Sequence, residues 1–470
     1  MVISVAQKIK AEEMYATMQS WRLFFRVALP GMISMFAMSI YSIIEGMFIG
    51  QNLGEGAFAA VNIAFPLVLI NFSLSDLIGV GASVPISIAL GKNDHDTANN
   101  VFTCSVIMIF TTSLIMGSIM YFAATPLASL MGADGELLDT SVRYLRTFAL
   151  CSPISSVFFA MDNYLKISGY VKTSMVINVS SNVVTIALLS LFLLVFKMDV
   201  VGSALAACIS MCSCSVVAII PFVRNKALLK FTKPRFHFAM FKQIAACGSP
   251  IFFSNISGRL TSILINISLL SIGAKVFGEG GGTTAVAIYA VLMYSSDMCW
   301  PLLYGIADAL SPAIGYNWGA QNYDRVKKIS RCAYTGTAVT GIVSTAILFF
   351  FSETVATLFS ESGDVEFIRL TAPAIRLFSI TYLFRWFVVT TQSYLSAIEK
   401  PLQGTFMSVM VSFVLPVVLL GALYNWGLDG IWFNFVGVNF IASIIAVILL
   451  IKLGREIKKR KASITRLEEI

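Results

Sequence analysis

Hydrophobic runs long enough to cross a bilayer recur along the whole 470-residue chain, and they constrain its fold more than any single motif. A helix needs about 20 apolar residues to cross the hydrocarbon core of a membrane. Hydropathy predicts twelve such helices. They lie near 24–50, 57–90, 101–124, 142–166, 174–196, 201–223, 244–272, 284–316, 333–352, 373–397, 404–424 and 429–452. We therefore expect an all-α polytopic membrane protein with little room for a soluble catalytic domain.

The basic residues are distributed unevenly among the predicted loops. Of the 33 lysines and arginines, 25 lie in the two termini and in the loops on the same side, whereas the opposite loops hold four. Loops rich in lysine and arginine stay in the cytoplasm. The uneven distribution therefore predicts a cell (inner) membrane protein with cytoplasmic termini, and it accounts for the net charge of +8. A nucleic-acid partner is not expected, since it would need a folded basic domain.

The eight cysteines lie mostly inside apolar runs, where a thiol packs as a small hydrophobic group. Cys208, Cys212 and Cys214 resemble a metal-binding cluster, but the chain has two histidines only. Both of them, His95 and His237, lie in predicted loops. We expect no disulfide framework, no metal site and no bound cofactor.

Residues recur between the two halves of the chain at a nearly constant offset of 220 to 230 positions. The matched pairs include Pro30 with Pro250, Gly91 with Gly319, Asp96 with Asp324, Arg146 with Arg376 and Tyr164 with Tyr394. Secondary transporters are often built from such repeats. We predict two pseudo-symmetric six-helix bundles, at 1–223 and 244–470 with a basic C-terminal tail, joined by a basic cytoplasmic linker at 224–243.

Two facing bundles would create a central cleft, which favours a transporter working by alternating access over a duplicated receptor or assembly scaffold. Helix breakers support this interpretation, because they are tolerated where a cavity or neighbouring helices satisfy the backbone. They are Pro66, Gly79, Gly81 and Pro85 in the second span and Pro301, Gly305 and Pro312 in the eighth. Packing kinks are the alternative. An enzyme is not expected, since the chain has no nucleotide-binding loop and no His-Glu-x-x-His motif.

Several motifs resemble those of multidrug and toxic compound extrusion (MATE) transporters, over about residues 22–452. They are LPG at 29–31, EGMFIG at 45–50, GVGASVPISIALGKND at 79–94, SPAIGYNWGAQNYDRV at 311–326, the segment 393–401 and GLDGIW at 427–432. The resemblance implies twelve helices in two lobes and a cleft that opens to either side in turn. It also implies antiport, in which amphipathic, often cationic compounds are exported against an inward proton or sodium gradient.

The sequence departs from the MATE pattern at positions that bear on ion coupling. Glu45 replaces the usual first-span aspartate, and Asn182 replaces an aspartate four residues after Asn178. A seventh-span glutamate of sodium-coupled members is absent around Gly258 and Arg259. These departures leave protons and sodium ions both open as the coupling ion.

Charged side chains inside the membrane are functional candidates, because an unpaired charge there costs several kcal/mol. Glu45 shares a helical face with Ser34 and Met38, which is typical of a cavity lining. We predict that Glu45, with Asn178 and Asn182, forms the ion-coupling site of the N-terminal half and loads and unloads protons. The alternative is a glutamate that reaches the outer membrane interface.

The second half contains three candidates for substrate binding or a second coupling site. Arg259 and Asp308 are predicted at similar depth, where they could form a structural ion pair. Asp297 lies nearer the outside with no obvious cationic partner, which suits either a second proton site or a counter-charge for a cationic substrate. Asp76, beside the glycine kink, is a further ion-coupling candidate. Arg385 also lies inside a span but has no predicted role.

Aromatic and methionine side chains are candidates for an adaptable substrate cavity, although lipid contact and packing are the alternatives. These candidates are Met38, Tyr41, Phe65, Tyr289, Met293 and Trp300. We expect a monomer in the lipid bilayer that binds small amphipathic molecules. A lipid-linked saccharide flippase of the same superfamily is the alternative function, but the four acids and four arginines within the spans do not indicate the strongly cationic cleft it would need.

Overall fold

The computed structural model describes residues 12–360 and 364–468, so the outermost residues of both predicted bundles lie outside the described part. Helices follow one another along this part of the chain, and no strand occurs in it. Ten helices are long and apolar enough to cross a membrane. One bent pair of shorter helices adds an eleventh span.

From Ser20 to Val223, the structure describes six long helices and one short helix. They are α1 (Ser20–Gly54), α2 (Gly56–Gly91), α3 (His95–Phe122), α4 (Ala124–Leu130), α5 (Gly135–Ile167), α6 (Val171–Val195) and α7 (Val200–Val223). Helix α2 follows α1 directly, without a loop between them. They are separated by Gly54, whose φ of +83° interrupts the helical backbone and is accessible to glycine at little cost.

From Phe238 onward, the described residues form ten α-helical segments. They are α8 (Phe238–Phe277), α9 (Gly281–Ala309), α10 (Ser311–Gly319), α11 (Tyr323–Phe350), α12 (Ser352–Leu358), α13 (Val365–Ser379), α14 (Tyr382–Ala397), α15 (Pro401–Val409), α16 (Leu415–Leu423) and α17 (Gly427–Glu468). A π-helical turn joins α15 to α16. Helices α13 and α14 form the bent span, with an angle of 45° between them.

The helical stretch Pro401–Lys459 accounts for two spans. Its 59 residues would extend about 90 Å as one straight helix, three times the bilayer core. Gly427 has a positive φ of +66°, and the Asn434 side-chain amide donates a hydrogen bond to the Pro416 carbonyl across the turn, at 2.9 Å. The chain therefore reverses here. The described part of the chain holds twelve spans, which confirms the predicted number.

The predicted span bounds agree with the structure to within several residues, except at three spans. The ninth begins at Tyr323 instead of residue 333, and the helix of the twelfth continues past residue 452 to Glu468. The tenth begins at Val365 instead of residue 373, and it is broken at Ile380–Thr381. Hydropathy also missed the two short helices α4 and α12, because seven residues are too few to give a membrane-length signal.

The internal repeat is visible in the helices themselves. Helices α3 and α11 both have 28 residues and begin 228 positions apart, and each is followed by a seven-residue helix. The Asp94 side chain caps α3 by accepting from the Thr97 amide at 3.0 Å. The Asn322 side chain caps α11 by accepting from the Arg325 amide at 3.1 Å. The two halves therefore repeat the same local structure.

The described residues divide into two compact units. The first comprises the chain up to Phe252 together with Pro312–Gln321, and the second comprises Phe253–Ser311 and the chain from Asn322 onward. The bundle boundaries at 223 and 244 stay a prediction. Each unit has its own buried apolar core, in which side chains pack by van der Waals contact. The cores include Leu145, Phe148, Ala204 and Cys208 in the first unit and Leu292, Phe378, Tyr382 and Trp432 in the second.

Within the first unit, the end of α2 packs against α10 at two glycines that belong to the repeat. A Cβ atom on Gly91 would lie 1.9 Å from the Tyr316 carbonyl oxygen, and one on Gly319 would lie 2.2 Å from the Ile88 carbonyl oxygen. Ile88 and Tyr316 are themselves 228 positions apart, so the contact is reciprocal. Any side chain larger than hydrogen would force the two backbones apart.

Candidate functional site

Glu45 lies in the C-terminal part of α1 and is half-buried. The Tyr41 hydroxyl, one helical turn earlier, donates a hydrogen bond to its carboxyl group. Tyr144 of α5 and Cys208 of α7 lie within electrostatic range of this pair. Both are buried, with exposed fractions of 2% and 0%. Neutral side chains from two other helices therefore lie near the Tyr41–Glu45 pair.

Among the described residues, no lysine or arginine lies within ion-pair distance of Glu45. An ionised carboxylate inside a membrane is costly without a counter-charge. The Tyr41 hydroxyl offsets only part of that cost, because it carries no charge. The site can therefore become neutral by binding a proton, a metal cation or a cationic ligand.

A second acid of the first unit, Asp162 of α5, forms a network that the sequence analysis missed. The Lys166 ammonium group lies 2.6 Å from the Asp162 carboxylate, one helical turn away. The Asn178 side-chain amide donates to the same carboxylate at 2.7 Å, and the Ser174 hydroxyl also donates to it. Lys166 is 3% exposed. The carboxylate is thus paired and hydrogen-bonded on several sides.

This network links α5 to α6 and takes Asn178 as a partner of Asp162. Asn182, one turn further along α6, is half-buried. The grouping of both asparagines with Glu45 stays a prediction. The missed signal was the spacing of four residues between Asp162 and Lys166, which places opposite charges on one helical face.

In the second unit, Asp297 of α9 is exposed and lies within electrostatic range of Arg259 of α8 and Arg385 of α14. The expectation that Asp297 has no cationic partner at its depth is therefore wrong. Helices α8 and α9 meet closely near their shared turn, where a Cβ atom on Gly273 would lie 2.5 Å from the Gly281 carbonyl oxygen. Counted back from that turn, Arg259 and Asp297 lie at similar depth. Pairing of Arg259 with Asp308 stays a prediction.

Arg385 lies over the ring of Trp300, with its guanidinium carbon 4.2 Å from the ring centroid. This cation–π contact joins α14 to α9 just beyond the bend of the tenth span. Tyr382, which is completely buried, lies within electrostatic range of both Arg385 and Asp297. The second unit therefore surrounds its exposed acid with two arginines and aromatic rings.

The remaining predicted site residues lie in varied surroundings. Tyr289 is 6% exposed and stacks on Phe435, and Met293 packs against the apolar core of the second unit. Met38 is 48% exposed. Asp76 and Asp308 are half-buried, and each interacts with another residue. Whether these side chains line a substrate cavity stays a prediction.

Three cysteines converge between α5 and α7, although they are not the three that resemble a cluster in sequence. The Cys151 thiol contacts those of Cys208 and Cys212, and the Cys212 sulfur lies 3.9 Å from the Cys151 carbonyl oxygen. All eight cysteines lie in the described part of the chain, and none of them forms a disulfide bond. In the part of the chain that the structure describes, no group of three or more ligating side chains is arranged to hold a metal ion.

Comparison with known proteins places these features in a family. The MatE family model matches residues 30–191 and 250–420, more than half of the chain and both halves of the repeat. The chain belongs to the MatE family. It is therefore a multi-pass membrane transporter and not an enzyme, and the resemblance seen in the sequence motifs is confirmed.

MatE relatives span nearly the full chain. The Multidrug export protein MepA of Staphylococcus aureus (strain MSSA476) is 24% identical over 94% of this chain and 96% of its own length. The MepA of Staphylococcus haemolyticus (strain JCSC1435) is 24% identical over 98% of this chain and its whole length.

Solved structures share the MATE fold with this chain. An outward-facing multidrug resistance MATE transporter of the MOP superfamily has a TM-score of 0.86 at 22% identity, covering 96% of this chain and 99% of its own. A MOP superfamily transporter from Pyrococcus furiosus, whose structure is described as having a binding pocket of reverse polarity, has a TM-score of 0.84 at 22% identity and the same coverage. At this identity, the likeness shows the fold alone.

Proposed function

We propose that this MatE protein is a secondary active multidrug exporter. It exchanges amphipathic, cationic compounds for protons or sodium ions by alternating access. The protein works as a monomer in the cell (inner) membrane, with both termini in the cytoplasm. Relatives named as multidrug export proteins support the export of varied compounds, because the chain matches nearly their whole length.

The observation that carries the proposal is a half-buried glutamate that has no lysine or arginine within ion-pair distance in the described part of the chain. Glu45 accepts a hydrogen bond from Tyr41 and lies within electrostatic range of Tyr144, and Cys208 lies near both tyrosines. Its single negative charge is neutralised by one bound cation at a time. A proton or sodium ion and a cationic substrate therefore compete for the same charge, which is the linkage that antiport requires.

Asp297 is a candidate for a second binding site with different surroundings. Its carboxylate is exposed, so a ligand can reach it, and Arg259 and Arg385 partly balance its charge. These surroundings are compatible with two roles for Asp297, as a counter-charge for the substrate or as a second coupling site. We assign primary ion coupling to Glu45, because the arginines near Asp297 lower its need for an external cation.

Transport by purified protein in liposomes tests this function. A fluorescent lipophilic cation is followed while a proton gradient, a sodium gradient or no gradient is imposed, and protein-free liposomes serve as the control. We expect accumulation of the dye that depends on one of the two gradients and collapses when an ionophore dissipates it. Transport that needs neither ion gradient would contradict antiport and favour the flippase.

A further inference from the structure

Arg385 is a membrane-embedded arginine whose guanidinium group has no hydrogen-bond acceptor among the residues that the structure describes. It lies near the middle of the bent span formed by α13 and α14, and it is half-buried. The guanidinium carbon of Arg385 lies 4.2 Å from the centroid of the Trp300 ring. Among the described residues, none accepts a hydrogen bond from it or lies within ion-pair distance of it.

Arg376 of the same span differs from Arg385, because its guanidinium group donates hydrogen bonds to protein acceptors. It donates to the Ser352 hydroxyl and to the Glu353 carboxylate, both at 2.8 Å. A guanidinium carries five N–H donors, and the face of an aromatic ring satisfies its charge but not those donors. The donors of Arg385 therefore remain available to a ligand.

The surroundings of Arg385 select the charge of that ligand. Arg259 and Arg385 together carry two positive charges beside the single carboxylate of Asp297, so this region has a net charge of +1. Trp300 also stacks on Tyr304, with 5.8 Å between ring centroids, which extends the aromatic surface beside the guanidinium. Guanidinium groups bind planar oxyanions through two parallel hydrogen bonds.

We propose that Arg385 binds a carboxylate, sulfonate or phosphate group of a transported aromatic compound. Asp297 binds the cationic group of the same compound, and the Trp300–Tyr304 surface contacts its rings. The two charged groups of one compound are therefore held by separate residues of the second unit. This inference rests on the export function proposed above and assigns the residue that recognises the anionic group.

Two other roles for Arg385 predict different behaviour. A purely structural arginine would hold α14 against α9 through Trp300, and its loss would affect every ligand equally. An arginine that binds the phosphate of an anionic lipid would leave the choice between dyes unchanged. A matched pair of ligands that differ only in one carboxylate separates these roles from the proposed one.

The test measures binding of a carboxyl-bearing rhodamine and of its methyl ester to purified protein in a neutral detergent, by fluorescence polarisation. Replacing Arg385→Gln removes the oxyanion partner. We expect the affinity for the acid to fall about tenfold or more, while that for the ester changes less than about threefold. Arg385→Lys keeps the charge without the planar fork, so it should recover part of the affinity for the acid.

Arg376→Gln is the matched control, because it removes an arginine of the same span whose partners are Ser352 and Glu353. It should leave the ratio of acid to ester affinity at the wild-type value. Size-exclusion profiles establish that each variant is folded. If Arg385→Gln does not fold, Arg385→Lys and Trp300→Phe provide the same comparison.

Equal losses for acid and ester in Arg385→Gln, or no loss for either, would overturn the proposal. Loss of co-purified phosphatidylglycerol with unchanged dye selectivity would also overturn it, by assigning Arg385 to a lipid. Binding is measured without an ion gradient, so its outcome is separate from that of the export proposal. Wild-type protein that binds both dyes but exports neither would refute export alone.

Discussion

Glu45 and Asp162 are two acids of the same unit in opposite electrostatic settings. Asp162 is ion-paired to Lys166 and accepts hydrogen bonds from Ser174 and Asn178, so its charge is balanced inside the protein. Glu45 has the hydroxyl of Tyr41 and no basic side chain within ion-pair distance among the described residues. Pairing inside the protein is thus the difference between Asp162, which we regard as structural, and Glu45, at which we propose ion exchange.

Breaking the Asp162 pair should give the largest effect. Lys166→Met leaves a buried carboxylate without its cation, which costs about 3–5 kcal/mol of unfolding free energy. The double variant Asp162→Asn with Lys166→Met removes both charges and should recover much of that loss. Denaturant unfolding in detergent measures both variants. If the single variant is as stable as wild type, Asp162 does not depend on its partner and the comparison with Glu45 is wrong.

Neutralising Glu45 should abolish coupling with little loss of stability. Glu45→Gln keeps the side-chain shape but cannot exchange a cation, and we expect gradient-driven dye export to fall about 100-fold. Glu45→Asp retains a carboxyl group and should keep part of the activity. Initial rates in liposomes, normalised to the amount of reconstituted protein, measure this. Wild-type rates in Glu45→Gln would remove Glu45 from the coupling site.

Asp297 should lie between these two extremes, because its arginines are near but do not form ion pairs with it. We expect Asp297→Asn to weaken export of a cationic dye about tenfold while its dependence on the ion gradient remains. Dose–response curves at several imposed gradients measure both properties. If the gradient dependence is lost as well, Asp297 is a coupling residue equal to Glu45.

Asp94, outside the spans, extends the comparison to an exposed acid and should give the smallest effect. Its carboxylate caps α3 through the Thr97 amide, and this hydrogen bond lowers its pKa below the usual value. A lowered pKa means that the cap stabilises α3 above about pH 4 and that this contribution is lost as the pH falls through the folded-state pKa.

The matching cap of α11, Asn322, has no charge to lose. Asp94→Ala and Asn322→Ala should each cost about 1 kcal/mol near neutral pH. At low pH, only the cost of Asp94→Ala should shrink. Hydrogen exchange of the first-turn amides of α3 and α11 measures both at two pH values. Equal pH dependence of the two caps would contradict a charge-dependent cap at Asp94.

The fold could be predicted from the sequence because each span carries its own hydropathy signal and each half repeats it. The bend at Ile380–Thr381 could not, since no proline or glycine marks it. Among the candidate site residues, Glu45 could be proposed from its type and position, and its role stays a prediction. The partners of Asp297 could not be predicted, because they depend on how α8, α9 and α14 pack together. The spacing of residues along a single helix carries no information on that packing.

The most direct test of ion exchange at Glu45 is the number of protons released when purified protein binds a cationic dye. Calorimetric titrations in buffers of different ionisation enthalpy report this number, with and without sodium. We predict about one proton released by wild-type protein without sodium, fewer when sodium occupies the site, and none by Glu45→Gln. Equal release by Glu45→Gln and wild-type protein would contradict the assignment of the exchanging carboxylate to Glu45.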